Sequence, residues 1–402
     1  MNIGGDYFFI KGKNAESFVQ DLALKTFFRD WCYLNPRLPD GKELCDLLVI
    51  FDDIAIIWQI KDLKLNKHGK YKKTEVEKNL RQLAGARRQL FNLQKAIELE
   101  NPRRDKEQFD PIIIREIHLI SVLLGAGEDF FSPTESIKNH IAHVFTKNFT
   151  QIILNELNTI SDFISYIRAK EELFSKDVHI LIIGGEEELL AEYLGNNRSF
   201  KELQEATMIT IMDGSWEQLQ NKAEYKAKKK ADEISYLWDS LINECHKASP
   251  RSIYETIARE LARPNRFERR VLSKHYFDAS IKADRDDIHN IFRRTFESKG
   301  VTYCFLFQDD SIPRNHRKVM LTNMCFIARG KYQENKKVLG IATEKKYQPL
   351  FSYDFCLFDI PDWTEKNQRA MEELQKKTKI LDSPIVQHTY ETEYPAKRLK
   401  QK

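Results

Sequence analysis

The sequence predicts an α/β chain in two parts, residues 1–175 and 176–402. Three observations carry this. A length of 402 residues makes two domains the default, and 42% hydrophobic content supports a sizeable core. Near the start, two apolar strand-like runs meet at Asp52-Asp53, with helical patterns on both sides. After about residue 175 a second set of strand and helix patterns begins.

The elements follow in order. Residues 14–31 carry Phe18, Leu22, Leu24, Phe27, Phe28 and Trp31 at helical spacing, with Asn14 as N-cap. Residues 42–61 read as a β-hairpin, and residues 62–73 as a polar loop. Residues 74–96 read as an amphipathic helix with Val76, Leu80, Leu83, Leu90 and Leu93 inward. Strands are expected at 112–124 and 141–145. Residues 148–172 read as helical, with a break near Thr159-Ile160-Ser161. The domain boundary is placed at 174–177.

The second part opens with a strand at 178–183, a Gly184-Gly185 turn, a helix at 186–194 and a strand at 207–212. Residues 215–296 read as mostly helical. Strands are expected at 302–307, 319–328, 338–342 and 355–358, then a helix at 364–379 and a loose polar tail from Tyr390. This second part reads as an α+β domain.

The hairpin is the informative element. A two-residue turn at Asp52-Asp53 pairs positions that sum to 105, so Asp46 lies opposite Gln59. Opposed residues share a face, and Lys61, two residues on, shares it too. An acid, an amide and an ammonium thus converge at the open end of an apolar hairpin. Such groups must satisfy one another or bind something. Asp46 offers carboxylate oxygens to a hard divalent cation and Gln59 a carbonyl oxygen, with the Lys61 charge beside them. A bound ion of this kind acidifies water and stabilises charge on a phosphoryl oxygen.

At these residues the chain resembles the PD-(D/E)XK nuclease superfamily, which has the restriction-endonuclease-like fold. Asp46 fits the acid that opens one strand, and Lys61 the lysine on the next. Gln59 stands where a carboxylate is usual, as in the Gln-x-Lys (Mrr-like) variant. The neutral amide is a weaker metal ligand than that carboxylate. The resemblance covers roughly residues 5–175. It implies an α/β/α core with a mixed sheet, and a further strand before the acid that residues 31–38 would supply. It also implies Mg²⁺ (or Mn²⁺) held by Asp46, Gln59 and a further carboxylate from Glu16 or Glu43. Lys61 would orient the attacking water. DNA is the implied partner, and restriction or antiphage defence the implied setting. Arg81, Arg87 and Arg88 on the following helix, and Lys64 in the loop, would meet nucleic acid.

Other signals are weaker. The net charge of +4, from 64 basic and 60 acidic residues, does not by itself mark a nucleic-acid binder. Basic runs at 222–230 and 259–275 are either solvated faces or phosphate contacts. Gly184-Gly185 is read as a strand-to-helix turn, since Glu186, Glu187 and Glu188 would repel a phosphate. His140-x-x-His143 has no third ligand nearby in sequence and is read as surface or core histidines. Six scattered cysteines without a C-x-x-C pair argue against a zinc site and a disulfide framework. With no apolar run near the 18 or so residues of a membrane span, and Asp6 near the start, the expected setting is cytoplasmic. The second part would serve recognition, regulation or assembly into a homo-oligomer. The competing reading is a non-catalytic nucleic-acid-binding or ligand-sensing protein that retains the nuclease-like fold.

Overall fold

A computed structural model describes residues 16–92, 97–125, 133–137, 140–176, 179–203, 207–249, 251–346, 351–382 and 390–395. The expected N-cap Asn14, the inward Leu93 and the first residue of the 178–183 strand lie outside them. The chain is a mixed α/β protein of two compact units, Met1–Lys226 and Ala227–Lys402.

The first unit opens with helix α1 (residues 16–26). Strands β1 (Cys32–Leu34), β2 (Leu47–Phe51) and β3 (Ile54–Lys61) follow, then helix α2 (Lys73–Phe91). A charged hairpin, β4 (Glu98–Asn101) and β5 (Arg104–Gln108), went unassigned in the sequence. Next come β6 (Glu116–Leu123), β7 (Thr134–Ile137) and β8 (His140–Thr146). Six of these strands form one sheet in the order β1-β2-β3-β6-β8-β7. It is mixed: β3, β6 and β8 run parallel to their neighbours in that series, and the remaining pairs are antiparallel.

The expected register holds. Phe51 pairs with Ile54 and Leu47 with Trp58. Asp52 takes a left-handed φ of 53°, which Asp tolerates better than most side chains. Parallel pairing of β3 and β6 requires a crossover, which α2 supplies. Val76, Leu80, Leu83, Ala86 and Leu90 of α2 are buried against Leu48, Ile50, Ile57, Leu119 and Leu123. The other sheet face carries an aromatic cluster. Trp58 stacks on Phe163 with centroids 5.7 Å apart, and Phe27 meets Phe163 at 5.1 Å. Helices therefore cover both faces. Phe163 belongs to α4 (Ile160–Phe174), which follows α3 (Lys147–Glu156). The expected break falls between them, and the Thr159 hydroxyl caps α4 by accepting the Asp162 N–H at 3.1 Å.

The first unit does not end at 174–177. β9 (His179–Ile182), α5 (Glu186–Gly195), β10 (Met208–Ile211) and α6 (Ser215–Asn221) belong to it. Buried side chains explain why. The Lys170 ammonium donates to Glu186, which also accepts the Tyr166 hydroxyl at 3.0 Å. Arg198 reaches Asp162 at 2.6 Å, and the Tyr166 and Tyr193 rings meet at 5.2 Å. At the acidic start of α5, Glu186 is 1% exposed.

After α7 (Ala223–Asp232), the second unit holds α8 (Tyr236–His246), α9 (Arg251–Ala262) and α10 (Arg266–Arg285). Then come β11 (Ile291–Ser298), β12 (Val301–Gln308), α11 (Arg314–Lys331), β13 (Lys337–Glu344), β14 (Asp354–Asp359) and α12 (Glu365–Thr378). The sheet order is β11-β12-β13-β14. Two expectations fail here. The helical reading ran through residue 296, but β11 and β12 form a hairpin. Its turn, Lys299-Gly300, places both residues at positive φ, the geometry that suits a two-residue hairpin. Residues 319–328 were expected as a strand and are helical in α11. Leu321, Met324, Cys325 and Ala328 recur at three- and four-residue steps and bury one helical face. β12 alternates between two packed faces. Tyr303 and Phe305 meet Trp238, while Cys304 and Leu306 join the core under α11.

Part of the basic run at 259–275 is not a solvated face, although Arg263 and Lys274 in it are exposed. Arg266, Arg269 and Arg270 are buried. Arg266 and Arg269 share Asp239, at 2.9 and 2.7 Å, and Arg270 meets Asp232 at 2.9 Å. Among the described residues, no helix is long and apolar enough to cross a membrane.

Candidate active site

The open end of the β2–β3 hairpin borders a cavity of about 620 Å³. Glu16, Glu43, Asp46, Gln59, Lys61 and Lys64 line it. Six of the nine sequence-predicted site residues therefore meet in one place. They come from the start of α1, the segment before β2, the end of β3 and the loop beyond. Asp46 is held by several groups. Its backbone N–H donates to Trp58 O at 3.2 Å, and its carbonyl accepts the Gln20 amide at 3.1 Å. The Gln59 side-chain amide donates to Asp46 Oδ2 at 2.8 Å, and the Ile60 N–H donates to the same oxygen. That leaves the Gln59 side-chain oxygen, Oε1, with no protein partner among the described residues.

The electrostatics of Asp46 are unusual. Its carboxyl is pushed up to about 8, first by burial, then by the Glu16 and Glu43 charges and a hydrogen bond shared with Glu43. The Ile60 N–H opposes the rise without cancelling it. The Glu16 and Glu43 charges that disfavour ionisation of Asp46 become compatible with it when a cation sits among them. Oxygen donors suit a hard divalent ion, so the residues present fit Mg²⁺ or Mn²⁺. The Lys61 ammonium lines the same cavity and has no ion-pair partner among the described residues.

The three arginines fall elsewhere. Arg87 and Arg88 line a separate small cavity with His140 and Ile137, and Arg81 lines neither. The helix instead presents Gln82, Gly85, Ala86 and Gln89 to the Asp46 cavity. Sequence reasoning chose the charges and missed this face. The signal was its spacing, since residues three and four apart share a helical face. Gln89 Oε1 is buried and has no hydrogen-bond partner among the described residues, an acceptor left for water or ligand.

The remaining motifs resolve structurally. Gly184 has φ 104° and Gly185 caps α5, which is the expected turn. His140 and His143 lie on a strand at odd separation, so they face opposite ways. His143 is fully buried and meets Glu171, as does His118. Comparison with protein-family models, with curated proteins and with solved structures gives no match to this chain.

Proposed function

We propose that the first unit is a metal-dependent nuclease that hydrolyses DNA phosphodiester bonds, with a PD-(D/E)XK-like core. The observation that carries this reading is the shared cavity of Asp46, Gln59 and Lys61 with two further carboxylates, Glu16 and Glu43. The helix–hairpin–helix–strand order around it also supports the reading.

Asp46, the Gln59 carbonyl and Glu16 or Glu43 would hold Mg²⁺ or Mn²⁺. The ion supplies Lewis acidity at a phosphoryl oxygen and a more acidic bound water. Gln59 also orients Asp46 by donating to Oδ2. Lys61 positions the attacking water and offsets charge that builds on the phosphate. In the cleavage step the water oxygen bonds to phosphorus and the bond to the 3′ oxygen breaks. The products carry a 5′-phosphate and a 3′-hydroxyl. Lys64 meets the phosphate backbone, and Gln82 and Gln89 reach the same cavity from α2. The family resemblance makes defence against foreign DNA in the cytoplasm the proposed setting. The second unit would govern where or when cleavage occurs.

The test incubates the purified full chain with plasmid DNA in Mg²⁺, Mn²⁺ or EDTA. Nicking is expected with either ion and none with EDTA. Lys61→Ala should lower the rate on the order of a hundredfold or more, as loss of one charge-stabilising group typically does. DNA binding without cleavage under all conditions would instead favour a non-catalytic nucleic-acid-binding protein.

A further inference from the structure

We propose that His118, His143 and Glu171 form a second metal site in the first unit, for a divalent first-row transition ion of the zinc class. This is independent of the nuclease reading. The sheet register brings the ligands together. His118 and Ile120 are two apart on β6 and share a face, and His143 of β8 pairs with Ile120. The α4 helix crosses this face, with Phe163, Ile167 and Glu171 along one stripe at four-residue steps.

His118 Nδ1 and His143 Nε2 each lie 2.9 Å from Glu171 Oε1. All three donor atoms fall within 4.8 Å of one another. Two imidazoles and one carboxylate suit zinc and its neighbours, whereas Mg²⁺ and Ca²⁺ take oxygen ligands. Three protein ligands leave one coordination position for water.

The surroundings of His118 match what a metal-bound histidine requires. Glu116 Oε1 lies 2.6 Å from His118 Nε2, on the side of the ring away from the cluster. Arg168 Nε fixes Glu116 at 2.7 Å. A carboxylate behind a ligating histidine sets its tautomer and raises its donor strength. Among the described residues no partner engages His143 Nδ1, which leaves that nitrogen able to carry the ring proton while Nε2 faces the cluster. Both rings are buried, while the Glu171 side chain is 28% exposed, so an ion enters from the carboxylate side.

An ion would take the place of the two contacts that meet at Glu171 Oε1, and binding would clamp α4 to β6 and β8. The site is distinct from the Asp46 cavity. Gln59 pairs with Ser121, and Ser121 and His118 are three apart on one strand, so the two sites lie on opposite sheet faces.

The experiment uses the metal-stripped full chain carrying Asp46→Asn, which weakens the first site, titrated with Zn²⁺ and separately with Co²⁺. One Zn²⁺ per chain should bind. Co²⁺ should give the visible absorption of a low-symmetry nitrogen–oxygen site. His118→Gln, His143→Gln and Glu171→Gln should each weaken Zn²⁺ on the order of a hundredfold or more, and Glu116→Gln by about ten- to a hundredfold. Far-UV circular dichroism and a cooperative denaturant-unfolding transition report that each variant is folded. Should a histidine variant not fold, Glu171→Gln, which keeps the shape and an acceptor oxygen, decides. Absence of Zn²⁺ binding, or uptake that survives in Glu171→Gln, overturns the proposal and assigns any zinc to other histidines.

Discussion

Replacing Asp46 by Asn should make the metal-free protein more stable at neutral and higher pH, against the usual expectation for a buried polar group. The folded-state value of about 8 lies far above the 3.8 of an ordinary aspartate. A raised value means that the folded state prefers the protonated acid. The contribution of this group is thus least unfavourable at low pH and is lost as pH rises from 3.8 toward 8. At about 1.4 kcal/mol per unit, the loss between pH 5 and pH 8 is on the order of 4 kcal/mol. Asn carries no charge to lose, so the wild-type minus variant difference should follow this curve. Other titrating groups cancel in that difference. Denaturant unfolding in EDTA across this range measures it. Mn²⁺ should reverse the sign, since an ion recovers the cost of ionising Asp46 only in the wild type. Below pH 8 the apparent Mn²⁺ affinity should rise about tenfold per pH unit, because one proton must leave. A wild-type minus variant difference that stays flat from pH 5 to pH 8 would refute the claim that Asp46 is buried among like charges.

Further tests follow the same geometry. Gln59→Glu should hold Mn²⁺ more tightly than wild type and Asp46→Asn less tightly than Gln59→Ala, because charge outweighs a neutral ligand; calorimetric titration ranks them. Lys64→Ala should weaken DNA binding and flatten its salt dependence, whereas Arg81→Ala, on no shared cavity wall, should leave the salt slope unchanged. Lys170→Ala strands Glu186 as an uncompensated buried acid and should cost about 3–5 kcal/mol by denaturant unfolding. Lys170→Ala with Glu186→Leu should recover much of that loss. Gly85→Ala meets nothing within 4 Å of its new Cβ. It should stabilise α2 by up to about 1 kcal/mol, read as a small rise in melting temperature.

The parts of this chain that could be read in advance are those whose information is local. The hairpin is one example. Its register follows from a two-residue turn and two apolar runs, so Asp46, Gln59 and Lys61 could be placed before any coordinates. The break between α3 and α4 is another, marked by a Thr that caps the next helix. The failures are equally specific. Residues 319–328 are rich in apolar groups, and a short apolar run does not reveal its period when both strand and helix would be buried. The β11–β12 hairpin was hidden because Arg293 and Arg294 interrupt the apolar alternation of a half-buried strand. The domain boundary was drawn at a polar stretch, while the groups that bind α5 to α4 are charged residues buried in pairs. Composition counts such residues as surface.

The two clusters of the first unit show the same division at the level of sites. The Asp46 cavity is mostly assembled from residues 43–64, so strand alternation alone predicts its members. Its α2 wall, Gln82, Gly85, Ala86 and Gln89, was not singled out, because the helix was searched for charges that could meet nucleic acid. His118, His143 and Glu171 stand on three elements, and only the parallel register of β6 and β8 makes them neighbours. His140-x-x-His143 drew notice for the wrong reason. The pair would share a face on a helix, and the strand separates them. One of the two is nonetheless a member of a cluster whose other members are 25 and 28 residues away, too far for any spacing rule. A parallel sheet places residues from distant segments at the same height by design of its crossovers. Sites built that way become visible once pairing is known, and the alternation within each strand then decides which side chains meet.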